Sequence, residues 1–175
     1  MCGIAGIVQY QEIDSRLQLE KMTNALQHRG PDAAGHFYNG PVGLGHRRLS
    51  IIDLSETANQ PMSDATGRYH IVFNGEIYNF VEVKSQLPDY PYRTHGDTEV
   101  ILAAYSKWGS ACLERLAGMF AFAIWDSHKQ ELFLARDRMG VKPLYFYKSG
   151  ATFLFASEIR ALLASGEVPP VANRK

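Results

Sequence analysis

The chain has 175 residues, of which 46% are hydrophobic and 21% charged, a balance that excludes a disordered polar tail and supplies a core for one domain, at most two small ones. Lysine plus arginine and aspartate plus glutamate number 18 each, so the broad basic field of a nucleic-acid binder is missing. Two cysteines, Cys2 and Cys112, cannot make a disulfide framework, and the longest apolar run, 119–125, is far short of the ~18 residues of a membrane helix.

The expectation is a soluble, cytoplasmic domain with no nucleic-acid and no membrane partner; the apolar start also lacks the basic flank of a secretory signal. In chain order, β-branched Ile4, Ile7 and Val8 mark a buried strand over 2–9. Leu17, Leu19, Met22 and Leu26 mark a helix over 15–27, stopped by Gly30-Pro31. Strands follow at 35–38 and 42–52, then a polar loop at 60–67, a strand at 69–73 ending on Asn74-Gly75, and a helix over 78–87 closed by Pro88. The clearest helix begins at Asp97, with Val100, Ile101, Ala104 and Trp108 on one face and Asp97 where an N-cap belongs. A short helix at 110–116 precedes strands at 120–125, 131–136, 144–147 and 152–156, and a last helix spans 158–163. Strands in runs with grouped helices predict an α+β layered fold rather than a doubly wound parallel sheet.

The most informative position is Cys2. Once the initiator Met1 is removed, a cysteine here carries nucleophile and base on one residue: Sγ attacks and the free α-amine accepts its proton. Both groups are usable near neutral pH, with ordinary pKa values of ~7.7–8 for the amine and ~8.5 for the thiol. The plainer alternative is a small buried hydrophobe at the start of a strand.

It belongs to a set of eight blocks. They are Met-Cys-Gly-Ile-Ala-Gly-Ile (1–7), His-Arg-Gly-Pro-Asp (28–32), Gly-His-Arg-Arg-Leu-Ser-Ile-Ile-Asp (45–53) and Asn-Gly-Glu-Ile-Tyr-Asn (74–79), counting the one that holds Cys2 itself. Next come Gly-Asp-Thr-Glu (96–99), Gly-Met-Phe-Ala-Phe-Ala (118–123), Ala-Arg-Asp-Arg-Met-Gly-Val-Lys-Pro-Leu-Tyr (135–145) and Ala-Ser-Glu-Ile-Arg-Ala-Leu (156–162). In this order they resemble the class II glutamine amidotransferase domain, most closely the form at the front of glutamine-hydrolysing asparagine synthetases. The resemblance covers residues 1 to about 163.

The resemblance implies an N-terminal-nucleophile hydrolase, a four-layer αββα sandwich, acting on L-glutamine. Cys2 is then the nucleophile, and Asn74 and Gly75 form the oxyanion hole. Arg48 holds the substrate α-carboxylate, a task suited to a planar guanidinium fork. Leu49, Ser50, Ile51 and Ile52 line the same pocket, and Glu76 and Asp97 receive the α-ammonium. No metal or organic cofactor is implied here; ATP and magnesium belong to a synthetase domain or subunit whose pyrophosphate loop this chain lacks. That domain is the implied partner, and a homodimer is allowed. Residues 1–166 would form the glutaminase domain and 167–175 a linker.

Read without the resemblance, Asn74-Gly75 is a common turn, Asp97 a helix cap, Arg48 a surface arginine and Glu76 a solvated one. His28 and His46 suggest a Cys–His dyad, which a free amine makes unnecessary. Cys112 reads as packing. A non-hydrolysing module beside a synthetase is the alternative function.

Overall fold

A computed structural model describes residues 1–10, 15–50 and 55–171. Nine strands and four helices follow in the order β1 (Gly3–Gln9), α1 (Arg16–Asn24), β2 (Ala33–Asn39), β3 (Val42–Arg48), β4 (Met62–Ser63), β5 (Tyr69–Ile77) and α2 (Phe80–Ser85) among the described residues. Then come α3 (Asp97–Trp108), β6 (Gly118–Asp126), β7 (Glu131–Arg136), β8 (Tyr145–Ser149), β9 (Thr152–Ala156) and α4 (Ile159–Ala164).

The strands build two antiparallel sheets, one ordered β2-β3-β1-β9-β8 and the other β4-β5-β6-β7. Alternation along each strand sorts its side chains between two faces. In β1, Ile4 and Val8 enter a core with Val72, Ala121, Ala123 and Trp125 of the second sheet. Ala5 and Ile7 instead pack with Leu19, Met22 and Leu26, under α1 and α4. The second sheet divides likewise: Ile71, Phe73, Phe122 and Ile124 pack beneath α3 with Val100, Ile101 and Ala104. Helix, sheet, sheet and helix therefore stack as four layers, the arrangement the resemblance implies. Strands buried on both faces explain why β1 and β6 read as continuous apolar runs rather than alternating ones.

Several local expectations change. The loop at 60–67 contains β4, which pairs Met62 with Ile71 and Ser63 with His70. The strand expected to stop at Asn74-Gly75 continues to Ile77, because β6 pairs with it residue by residue from Tyr69↔Asp126 to Ile77↔Gly118. Asn74-Gly75 is therefore not a turn. Where these strands approach most closely, a Cβ on Gly75 would lie 2.3 Å from the Met119 carbonyl oxygen, and one on Gly118 2.2 Å from that of Glu76. Only glycine fits either place. Asp97 is the first residue of α3, and Gly96 takes the N-cap position. The expected helix at 110–116 is a 3-10 turn, Gly109–Glu114, whose Cys112 is fully buried in the core beside α3.

Candidate active site

The same alternation that fills the inter-sheet layer also builds a site at its end. Antiparallel pairing sets His46 opposite Ile4 and, one step further along, Arg48 on the same face as Cys2. Arg47 between them points to the helical side, where Nε donates to Thr23 O at 3.2 Å and Nη2 to Asn24 Oδ1. On β5, Asn74 follows Val72 onto the inter-sheet face. Cys2, Arg48 and Asn74 thus converge from three strands or strand ends. Together with Leu49, Gly75, Glu76 and Asp97 they line one cavity of about 180 Å³.

Cys2 is half-buried and its sulfur is held by one peptide: Leu49 N–H donates to Sγ at 3.4 Å, and Leu49 O lies 3.6 Å away as acceptor for the thiol. A donor aimed at sulfur is a bond that the thiolate keeps and strengthens. The Cys2 carbonyl is fixed by Arg29 Nε at 2.9 Å. Arg29 Nη1 is in turn held by Glu158 at 3.0 Å, and Glu158 also meets His28 at 2.9 Å and Arg160 at 2.6 Å. Burial opposes ionisation of Glu158, but its bonds to Arg29 and His28 leave its carboxyl below the usual range. The 28–32 and 156–162 blocks therefore hold the backbone of Cys2. Ser157 Oγ completes the grip by accepting Ile4 N–H at 3.0 Å.

Asn74 is buried, and its Nδ2 finds no acceptor among the described residues. A buried amide donor left without a partner costs about 1–3 kcal/mol, so its presence needs a reason. The β5 edge supplies part of it. Tyr78 N–H bonds to Ala117 O on the β6 side, while Ile77 N–H bonds to Asp97 Oδ2 at 2.9 Å on the opposite edge. By strand alternation, Gly75 N–H shares the edge of Ile77 and faces the cavity. A side-chain amide and a backbone N–H thus line the same cavity as Cys2, suited to a developing oxyanion.

Charge lines the walls. Arg48 is buried, with Nη1 donating to Ser55 O at 2.9 Å and to Asn59 Oδ1 at 2.7 Å, which fixes the guanidinium at the wall. Burial pushes the Asp97 carboxyl up to about 6; the backbone N–H groups of Ile77, Asp97 and Thr98 work against that rise, and Glu76 adds to it. Glu76 itself is exposed at the cavity rim. Ser50 is outside the lining; its N–H donates to Asp32 Oδ2 at 2.8 Å, tying the end of β3 to the 28–32 block. Ile51 and Ile52 lie outside the described residues.

Neither tempting histidine is set against the sulfur: His28 meets Glu158 and His46 meets Phe73 O at 3.2 Å. Glu99, from the 96–99 block, is fully buried and accepts Thr94 N–H at 2.7 Å and both Arg93 N–H contacts, anchoring a loop. Sequence reasoning missed Gln60 and Lys142 as lining residues. Lys142 stood inside the 135–145 block and was legible there as part of a turn; Asp137 accepts N–H bonds from Phe120, Val141 and Lys142 and shapes that turn. The Lys142 amine reaches the cavity, 3.1 Å from Met1 Sδ. Gln60 carried no signal beyond a polar loop. Among the described residues no group of three or more His, Cys, Asp and Glu side chains could hold a metal ion, and no helix is long and apolar enough to cross a membrane.

Comparison with known proteins gives the family. The model of a glutamine amidotransferase domain family matches residues 1–175. The putative asparagine synthetase (glutamine-hydrolyzing) 2 of Methanocaldococcus jannaschii is 42% identical over 99% of this chain and 37% of its own length. Asparagine synthetase (glutamine-hydrolyzing) 3 of Bacillus subtilis is 38% identical over 99% of this chain and 29% of its own. The chain thus spans about a third of the length of these relatives. Among solved structures, a glutamine phosphoribosylpyrophosphate amidotransferase from B. subtilis, complexed with ADP and GMP, superposes with a TM-score of 0.79 at 23% identity. It covers 94% of this chain and 44% of that one, and so shares the fold. With its two-sheet architecture and full-length match, the chain belongs to the glutamine amidotransferase domain family.

Proposed function

We propose that the chain hydrolyses L-glutamine to L-glutamate and ammonia through a γ-glutamyl thioester on Cys2, after removal of Met1. The observation that carries this reading is the buried Asn74 Nδ2, without an acceptor among the described residues, in the cavity that Cys2 also lines, with a guanidinium on one wall and a carboxylate on another. Arg48 takes the substrate α-carboxylate, and Asp97 with Glu76 takes the α-ammonium. A zwitterion held at both charges leaves its side-chain amide toward sulfur.

The proton follows the chain end. The Cys2 α-amine takes the thiol proton, and the thiolate attacks the amide carbon. A C–S bond forms and the carbonyl electron pair moves onto oxygen, where Asn74 Nδ2–H and Gly75 N–H stabilise it. Collapse breaks the C–N bond, and nitrogen leaves as ammonia with the proton returned by the α-ammonium. Water then adds to the thioester, losing a proton to the amine; the C–S bond breaks and sulfur recovers that proton. No step calls on a metal or organic cofactor. Met1 precedes Cys2 in the structure and lines the cavity, so its excision both frees the amine and clears space.

The ammonia would pass to an ATP-dependent synthetase domain or subunit. Relatives named as asparagine synthetases match this chain with about a third of their length, which supports a carboxylate acceptor of the aspartate type.

Glutamate release from glutamine, measured alongside covalent capture by the electrophilic analogue 6-diazo-5-oxo-L-norleucine, tests the reading. The wild type should turn over and take one label at Cys2. Cys2→Ala should bind glutamine, release no glutamate and take no label. Label on another residue, or turnover surviving in Cys2→Ala, contradicts it.

A further inference from the structure

β5 carries the oxyanion donors along a stretch of edge, beyond Ile71, that no strand covers among the described residues. β4 pairs with Ile71 and His70 and goes no further, whereas β6 holds the other side through Ile77. Between β4 and Gly75 on this edge stand the peptide groups of Phe73, and side chains meet both of them. Gln60 Oε1 accepts Phe73 N–H at 2.7 Å, and His46 Nε2 lies 3.2 Å from Phe73 O. A carbonyl can only accept, so His46 Nε2 carries the proton and donates. Burial, assisted by the nearby Arg48 charge and opposed by the bond to Phe73, pushes the ring pKa down to about 4 and keeps it neutral near pH 7.

Both side chains are buried, and each is tied to an element that also bears substrate-binding charge, His46 by its place on β3 and Gln60 by a bond to α3. His46 is two residues before Arg48 on β3. Gln60 Nε2 donates to Thr98 Oγ1 at 3.3 Å, beside Asp97 in the first turn of α3. They replace a missing strand one residue before Asn74 and two before Gly75.

We propose that His46 and Gln60 are positioning residues for the oxyanion hole: by clamping the Phe73 peptide from the side opposite β6, they fix the aim of Asn74 Nδ2 and Gly75 N–H. This rests on the glutaminase reading. His46 lies outside the cavity lining, and Gln60, which reaches it, has its oxygen engaged by Phe73 N–H and its amide by Thr98 Oγ1. Their effect falls on the step in which charge reaches oxygen, where a misplacement of about 1 Å can cost ~10²-fold in rate.

The test uses the full processed protein, with kcat and KM for glutamine hydrolysis and the Ki of L-glutamate γ-semialdehyde. The aldehyde adds the Cys2 thiol as a hemithioacetal, whose new tetrahedral oxygen occupies the hole. His46→Leu and Gln60→Leu should lower kcat about 10–100-fold with KM within about twofold, and should raise Ki in parallel. His46→Gln keeps an N–H donor at similar reach, and Gln60→Glu keeps the acceptor; both should recover to within about fivefold of the wild type. Wild-type kcat and Ki in the leucine variants would overturn the proposal, as would His46→Gln as slow as His46→Leu. Should His46→Leu not fold, Gln60→Leu decides: slow with unchanged KM supports the clamp, and wild-type rate overturns it. A wild type without Cys2-dependent hydrolysis sinks the function reading and this proposal together. An active wild type with indifferent variants sinks this one alone.

Discussion

Burial raises the Asp97 carboxyl to about 6 although three backbone N–H groups favour its anion. Two consequences follow for this one residue, with opposite pH signatures. Asp97 is progressively protonated below about pH 6, so in its proposed role as the anion for the α-ammonium the KM for glutamine should climb toward tenfold per pH unit there while kcat changes less. For stability, a folded pKa above the unfolded value means that the native state holds this proton more tightly. Its contribution is most favourable below about pH 4 and declines as pH rises through about 6, leaving a fixed cost at higher pH. Asp97→Asn keeps an acceptor for Ile77 N–H and removes that cost. Thermal melts should show a gain of about 1–3 kcal/mol at pH 8 and none below pH 4, with glutamine binding lost. No gain at pH 8 would mean that the carboxylate is solvated. The other two polar groups should separate kinetically. Asn74→Ala should lower kcat by about 10²–10³ with little change in KM, and Arg48→Ala should chiefly raise KM. Reversed effects would exchange their roles.

At the scale of elements, β5 decides the site, and its second half was not legible in the sequence. Asn-Gly reads locally as a turn because both residues tolerate tight backbone geometry. Pairing with β6, 45 residues away at Gly75↔Phe120, overrides that preference and keeps the chain extended. The glycine is needed for close approach, not for a turn. Gly75→Ala would drive a Cβ to 2.3 Å from Met119 O, so it should cost about 1–3 kcal/mol in denaturant unfolding. A neutral substitution would show that β5 and β6 can separate without loss. β3 was more legible: the period of two that buries Val42 and Leu44 also carries His46 and Arg48 inward and Arg47 outward. Gln60 was not, since its reach to Phe73, 13 positions on, spans β4 and the start of β5 and depends on a register that no local pattern encodes. The α3 face was plain from its spacing, while the exact start was not, because Asp97 serves β5 and the cavity from the first turn rather than capping the helix.

For the whole molecule, the four-layer stack exists to bring a chain terminus and a strand edge to the same end of one apolar layer. β1 lies in the middle of its sheet, between β3 and β9, so the terminus is pinned from both sides. Arg29 and Glu158, from either end of the chain, close over the Cys2 carbonyl. The layered class and the motif blocks were readable from the sequence; the packing of the two sheets, which alone makes Cys2 face Asn74, required the fold. The central claim is that the nucleophile's own α-amine moves the proton. The most direct measurement compares glutamate release by protein whose intact mass shows Cys2 as the first residue with protein of the same sequence whose N-terminus is kept extended. The expected result is turnover in the processed form and loss of it in the extended form, both folded by circular dichroism. Equal turnover with the terminus blocked would contradict the claim and require another base.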